Sequence, residues 1–554
     1  MKDFKKSTVY QIYPKSFYDT NGDGIGDLNG VIEKLDYLKT LGIDYIWLTP
    51  FYPSPQVDNG YDIADYYNID PSFGTLEDFE KLVQEAKKRE IYLMLDMVLN
   101  HTSTEHNWFK RALNGEKKYK DFYIFKKSVN QESPTNWQSK FGGNAWEYVE
   151  KFDEYYLHLF DRTQADLNWD NEEVRKEIYS IVNFWIEKGV KGLRFDVINL
   201  ISKPEKFESD LDGDGRRFYT DGPRIHEYLR ELNENTYGKQ KDIVTVGEMS
   251  STSLENCMKY SNPEEKELSM VFNFHHLKVD YYNGDKWTVM DFDFVRLKEL
   301  FKTWQEGIQN GNGWNALFWC NHDQPRIVSR FGNDKEYLNE SAKMLATTIH
   351  MMRGTPYIYQ GEEFGMTNPY FNSIDEYRDV ESINYYNILK EQGKAEKEIL
   401  EILREKSRDN SRTPVQWNAE KNAGFTNGTP WIPICNKYKV INVQNALENK
   451  DSIFYHYEKL IQLRKNYDII SEGKIKFILE DNERVLSYVR TLNNNTLIVV
   501  NNFFSEEVMI ELPEEYLRKP LNSKILISNY KNSCNLDKNI TLRAYESIVY
   551  YIEN

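Results

Sequence analysis

Apolar residues recur along this chain in two alternating rhythms. Short extended runs at Val9–Tyr13, Tyr45–Leu48, Ile91–Leu95, Gly192–Val197, Ile243–Val246, Met270–Phe274, Ala316–Cys320 and Pro356–Tyr359 are separated by stretches of helical period. That period is visible in Val31, Leu35, Leu38 and Leu41, and again in Phe79, Leu82 and Ala86. Eight strands with helices between them predict a (β/α)8 TIM barrel within an α/β fold. A doubly wound open sheet would share the alternation but gives no reason for polar residues at so many strand ends. The interval between the third and fourth runs is too long for a plain loop, and it is rich in Trp, Tyr, Phe and Asn. It predicts a small inserted domain at 103–171, dividing the barrel into 1–102 and 172–476. A second insertion, about 368–431, carries a helix at Lys394–Lys406. Past it, runs such as Leu497–Val500 between Asn-rich turns predict a C-terminal antiparallel β-sandwich over 477–554.

One run carries more than packing. In Gly192–Asn199, Leu193, Phe195 and Val197 alternate with Arg194 and Asp196, so a strand here directs a cation and a carboxylate to the face opposite its apolar side chains. The runs at Asp96–His101, Val246–Glu248 and Phe318–Asp323 also end in carboxylates or imidazoles. Barrels of this kind carry their chemistry at the C-terminal ends of strands. Asp196, Glu248 and Asp323 therefore form a candidate cluster, and retaining glycoside hydrolysis needs two carboxyls about 5–5.5 Å apart. A third carboxylate can bind sugar hydroxyls. A strand-end ion pair would explain any one of these residues but not the set. His101 and His322, beside carboxylates, suit donors to sugar hydroxyls. Aromatics interleaved with amides in the inserted domain suit the apolar faces of sugar rings, although any single one serves equally well in a minicore.

Composition narrows the picture. The net charge of -17 over 554 residues excludes a nucleic-acid or anionic-membrane surface as the main partner. The N-terminus lacks the apolar core of a signal peptide, and no run reaches the roughly 18 apolar residues of a span, so the expected location is the cytoplasm. Cys257, Cys320, Cys435 and Cys534 lack CxxC spacing and predict reduced thiols. Asp19, Asn21, Asp23, the Ile25 carbonyl and Asp27 reproduce the first nine positions of a calcium loop, predicting one structural Ca2+ and no organic cofactor. The usual later Glu is absent, and a stack of Asx turns without an ion is the alternative. Asp210–Gly215 is similar, but Arg216 and Arg217 follow and can neutralise it.

Asp96–His101, Gly192–Asn199, Val246–Glu248 and Asn321-His322-Asp323 resemble the four conserved regions of the α-amylase superfamily, glycoside hydrolase family 13. Gln164–Asn168 is similar to an additional motif of its oligo-1,6-glucosidase branch, with Ala165 where Pro is usual. The resemblance implies that Asp196 is the nucleophile, Glu248 the acid/base and Asp323 the transition-state stabiliser. It implies that Arg194 orients Asp196, that His101 and His322 hold the non-reducing glucose, and that Asp58 with Arg412 closes the pocket while Tyr61 stacks on the sugar. A closed pocket implies exo-action. Within the branch, Val197 resembles 1,6-glucosidases and trehalose-6-phosphate hydrolases rather than maltases, and 214–223, 249–252, 268–280 and 313–320 resemble the latter hydrolases. This implies a small phosphorylated disaccharide as partner. A phosphate needs cations, for which Lys278, Arg216 and Arg217 are candidates. The expected activity is retaining hydrolysis of α,α-trehalose 6-phosphate to glucose and glucose 6-phosphate. The alternative is an oligo-1,6-glucosidase acting on isomaltose or dextrin ends. Non-enzymatic, membrane-anchored relatives have lost the catalytic carboxylates, which this chain keeps.

Overall fold

The computed structural model describes residues 2–127, 132–517 and 522–553. The eight expected strands form: β1 Val9–Ile12, β2 Tyr45–Leu48, β3 Tyr92–Val98, β4 Gly192–Asp196, β5 Val244–Met249, β6 Met270–Asn273, β7 Ala316–Leu317 and β8 Thr355–Tyr359. They lie in the order β6-β5-β4-β3-β2-β1-β8-β7, and a parallel bridge from Val271 to Asn315 closes the ring. The strands are buried on both faces, which is why they read as nearly continuous apolar runs. Phe195 faces outward against Tyr237, while its neighbours Arg194 and Asp196 point into the barrel mouth. Asp96 pairs in register with Arg194 and Phe195 with Gly247, so Asp196 and Glu248 end adjacent strands at one level. Gly247 lies close against its neighbours, since a Cβ there would fall 2.5 Å from the side-chain ends of Leu268 and Met249 and make both shift.

Three strands depart from the expected bounds by three residues, and one of them, β5, runs past Val246 to Met249, carrying Glu248 inside the strand. β3 continues to Val98, which places Asp96 inside the ladder. β7 stops at Leu317, because the next residues find partners elsewhere: the Phe318 carbonyl meets His276 Nε2 at 2.9 Å, and Trp319 Nε1 donates to the Leu345 carbonyl at 2.7 Å. Aromatic residues favour strands locally, but tertiary packing claims these two. The helical periods resolve into Leu28–Glu33, Leu35–Leu41 and Leu76–Lys88, the last begun by a capping box between Thr75 and Asp78.

Between β3 and β4, His101–Ser103 pairs antiparallel with Gln164–Asp166, and Phe125–Lys127, Glu154–Leu157 and Trp146–Val149 form a small sheet. The Lys394–Lys406 helix forms as Glu396–Lys406 and leads into a short turn of helix, Asp409–Arg412. At the C-terminal end, Lys474–Ile478, Val485–Leu492, Asn495–Asn502, Ser547–Glu553 and Asn522–Ser528 make one antiparallel sheet, backed by the pair Val508–Glu511 and Asn539–Leu542. The cysteines are free, with Cys257, Cys320 and Cys435 buried and Cys534 exposed. No helix among the described residues is long and apolar enough to cross a membrane.

Candidate active site

A cavity of ≈ 240 Å³ opens at the C-terminal ends of the barrel strands, lined among others by Asp58, Tyr61, His101, Asp196, Glu248 and Asp323. Its floor is organised by Arg194, which is 1 % exposed and projects inward from β4. The guanidinium donates to Asp96 Oδ1 at 2.6 Å and Asp196 Oδ1 at 2.7 Å, and its other terminal nitrogen donates to Glu248 Oε2. Asp96 is held in turn by Trp47 Nε1 at 3.1 Å and the Tyr61 hydroxyl at 2.9 Å. One cation thus orients two reactive carboxyls. Burial pushes Glu248 up to about 7, with Asp196 and Asp323 adding to the rise and Arg194 opposing it. Burial raises Asp196 to about 7 as well, with Arg194 opposing and Asp96 adding to the rise, so the two carboxyls hold one proton between them, and their mutual contact lowers Asp196 while raising Glu248. Directly after Asp196, Val197 adopts left-handed backbone (φ 36, ψ 39), a costly conformation for a β-branched residue that turns the chain away as the strand ends. Its amide donates to Glu248 Oε2 at 3.3 Å.

Asp323 stands across the cavity as an anion. Burial alone would raise it, but His322, Arg408 and Arg412 hold it well below the usual carboxylate range. Arg412 Nη2 donates to its Oδ1 at 2.7 Å, and His322 Nε2 lies 3.1 Å from Oδ2. The Gln11 amide donates to His322 Nδ1 at 2.8 Å, which leaves the proton on the nitrogen facing Asp323. The Tyr61 ring stacks on His322 at 5.0 Å and 3°, so the imidazole lies behind the tyrosine, and its geometry serves Asp323 more directly than a sugar. His101 does line the cavity, with Nε2 3.2 Å from both the Tyr61 carbonyl and the Gln164 amide.

The partner expected for Asp58 needs correction. Asp58 pairs with Arg408, not Arg412: Arg408 Nη2 donates to Asp58 Oδ1 at 3.0 Å, and Gln164 Nε2 donates to Oδ2 at 3.1 Å. Arg412 is fully buried and spent on Asp323 and the His322 carbonyl. Both arginines flank one turn of the Asp409–Arg412 helix, and only the first faces the cavity. Arg408 also bonds Asp379 at 2.9 Å and lies 4.7 Å over the Phe141 ring. Glu381 and Lys286, paired at 2.7 Å, complete this wall and had no signature in the sequence.

On the Glu248 side the rim is cationic. Lys140, from the inserted segment, reaches Ser250 Oγ at 3.1 Å, and Lys278 approaches Ser251 Oγ at 3.5 Å. Arg216 shares their field while pairing with Asp214 at 2.9 Å. Arg217 does not join them: it is exposed and binds Asp210 at 2.9 Å, because successive residues of the short helix Arg216–Tyr219 diverge by a large angle. Sequence reasoning named Lys278 and Arg216 but missed Lys140, a loop residue without periodic context.

The Asp19–Asp27 loop lies apart from these strand ends. Asp19 accepts from the amides of Asn21, Gly22 and Gly24, and Asp27 accepts from the Thr20 and Gly30 amides. Its oxygen donors have the chemistry of a hard-cation site, yet among the described residues no three His, Cys, Asp or Glu side chains converge as a metal cluster.

A closed parallel barrel with one arginine bridging two carboxyls, and a third carboxylate opposite, defines a glycosidase-like centre. The chain belongs to the α-amylase family, glycoside hydrolase family 13: the profile described as alpha amylase, catalytic domain, matches residues 11–473. The alpha-amylase SusG C-terminal domain profile matches residues 485–549. The chain is 59% identical over 549 residues to the trehalose-6-phosphate hydrolase of Bacillus subtilis, covering 99% of this chain and 98% of that one. It is 51% identical over 557 residues to the oligo-1,6-glucosidase of Bacillus cereus, covering 99% of each. The crystal structure of Bacillus licheniformis trehalose-6-phosphate hydrolase matches with a TM-score of 0.96 and 58% identity over 100% of both chains.

Proposed function

We propose that this chain is a retaining, exo-acting phospho-α-glucosidase that hydrolyses α,α-trehalose 6-phosphate to glucose and glucose 6-phosphate. The observation that carries the reading is the cationic rim on the Glu248 side of a pocket whose floor bears the Arg194-bridged carboxyl pair. In the first step Asp196 bonds to the anomeric carbon while the glycosidic bond breaks, and Glu248 gives its proton to the departing glucose 6-phosphate oxygen. In the second step the Glu248 carboxylate takes a proton from water as that water's oxygen replaces Asp196 at the same carbon. Two inversions return the original configuration. Asp196 and Glu248 are held by the two terminal nitrogens of one guanidinium, which supports the close retaining arrangement of about 5–5.5 Å over the wider inverting one of about 6.5–9.5 Å. Asp323 stabilises the cationic sugar, and Asp58, His101, Gln164 and Arg408 grip the non-reducing hydroxyls over Tyr61. The pocket's ≈ 240 Å³ suits a single terminal sugar and so favours exo-action.

Relatives named trehalose-6-phosphate hydrolase support the substrate. An oligo-1,6-glucosidase is the second reading, supported by the 51% identical Bacillus cereus relative. Comparing kcat/KM on trehalose 6-phosphate, unphosphorylated trehalose and isomaltose decides between them: preference for the first is expected, and preference for isomaltose installs the alternative. A phosphorylated substrate supports a cytoplasmic location. The Asp19–Asp27 loop is proposed to bind one calcium, on the strength of its oxygen donors, as a stabilising ligand without a catalytic step.

A further inference from the structure

The two lysines of the rim have no counter-ion among the described residues. Among the described residues, no carboxylate pairs with Lys140 or Lys278, although the chain carries 87 Asp and Glu against 70 Lys and Arg. Lys140 is the deeper of the two. Its backbone amide is tied to the Leu159 carbonyl at 2.9 Å, and the next residue, Phe141, packs against Phe160 and under Arg408, so the lysine is presented from a fixed turn. Opposite it, Ser250 is clamped by Asn199, which donates to the Ser250 carbonyl and accepts its amide, both at 2.9 Å. Ser250 lies two residues past Glu248, so the ammonium faces the position where the leaving sugar departs. The fully buried Tyr219 ring lies with its centroid 5.7 Å from the lysine nitrogen, and Arg216 interacts with its hydroxyl, so a second cation stands close by. A half-buried ammonium without a carboxylate partner, in the field of two further cations, is costly unless an anion fills the space.

Resting on the reading of a phosphorylated leaving group, we propose that Lys140 is the residue by which the pocket recognises that phosphate, donating to it across from Ser250 with Lys278 on its outer side. Lys140 is thus a specificity determinant contributed by the segment between β3 and β4, and its contact with Ser250 holds its place until substrate arrives. Burial, then Arg216 and Lys278, lower Lys140 to about 7, with Asp214 and Glu248 opposing. A bound dianion favours its charged form, so phosphate binding takes up a proton above that pH, and affinity falls as pH rises past the value in the free protein.

The test compares Lys140→Met and Lys140→Arg with the unmodified protein, using glucose 6-phosphate as binding probe and an aryl α-glucoside as a substrate without phosphate. Lys140→Met is expected to lose about ten- to hundredfold in kcat/KM on trehalose 6-phosphate, with the aryl glucoside unaffected. Lys140→Arg is expected to keep glucose 6-phosphate binding but to lose the proton uptake seen by calorimetry at pH 8 in two buffers of different ionisation enthalpy. Equal losses on both substrates, or unchanged glucose 6-phosphate affinity in Lys140→Met, overturn the assignment. So does unchanged proton uptake in Lys140→Arg, which assigns the titration to Glu248 or Lys278. If the unmodified protein itself shows no preference for the phosphorylated disaccharide, the underlying function fails instead.

Discussion

Arg194 sets the division of labour between two carboxyls that composition alone would leave equivalent. It bonds Asp96, Asp196 and Glu248 at once, so its positive charge offsets part of the cost of burying three acids in one cavity. Hydrolysis needs Asp196 ionised and Glu248 protonated; burial raises both to about 7, and their mutual contact, which lowers Asp196 and raises Glu248, favours the proton on Glu248. Accordingly kcat/KM should fall as pH rises through about 7, where the acid is lost, and fall again at low pH as Asp196 takes up a proton. The two limbs belong to the coupled pair and not to either residue alone. Glu248→Gln assayed on an activated glucoside, whose leaving group needs no proton, should lack the alkaline limb; its persistence would assign that limb elsewhere. Asp196→Asn and Glu248→Gln should each lower kcat on trehalose 6-phosphate by at least about a hundredfold without unfolding the protein. Near-normal turnover in either variant would remove it from the mechanism. In Glu248→Gln an activated substrate should still leave a glucosyl adduct on Asp196, detectable by mass spectrometry.

At the scale of elements, two contacts are expected to govern stability rather than turnover. Arg490, fully buried on Val485–Leu492, donates to the carbonyls of Met351 at 2.7 Å, Ile470 at 2.8 Å and Gly473 at 2.7 Å, fastening the C-terminal sheet to the barrel. Arg490→Met should leave these carbonyls unpaired, cost about 3 kcal/mol, and raise hydrogen exchange first across Lys474–Ile478 and the strands it joins. Exchange that stays uniform would deny the arginine this role. For the Asp19–Asp27 loop, chelation should lower the melting temperature and leave kcat of the folded fraction unchanged, since a ligand of the native state stabilises by mass action. An unchanged melting curve, or protein purified without calcium, would contradict the proposed ion. The strands were legible in the sequence because a barrel buries both faces of each, and the carboxylates because they close those strands. What the sequence hid depends on contacts without local period: Asp58 and Arg408 meet across 350 residues, Lys140 sits in a loop, and Phe318 and Trp319 read as strand but serve an aromatic cluster.

Across the whole molecule, the charge distribution carries the specificity. A net charge of -17 repels anions at long range, so a phosphorylated substrate must be recognised locally by the unpaired cations near Glu248. The barrel supplies the hydrolytic floor from β3, β4 and β5, and the segment between β3 and β4 supplies Lys140 and Gln164 to the wall and rim. Hydrolysis and substrate choice therefore come from different parts of the chain, which is how one floor can serve both readings of the substrate. The measurement that reaches both at once is proton NMR of trehalose 6-phosphate hydrolysis at early times, before the glucose product mutarotates. The account predicts consumption of the phosphorylated disaccharide with α-glucose appearing first and β-glucose only later. First appearance of β-glucose would contradict the retaining pair, and an untouched substrate beside rapid cleavage of isomaltose would contradict the phosphate pocket.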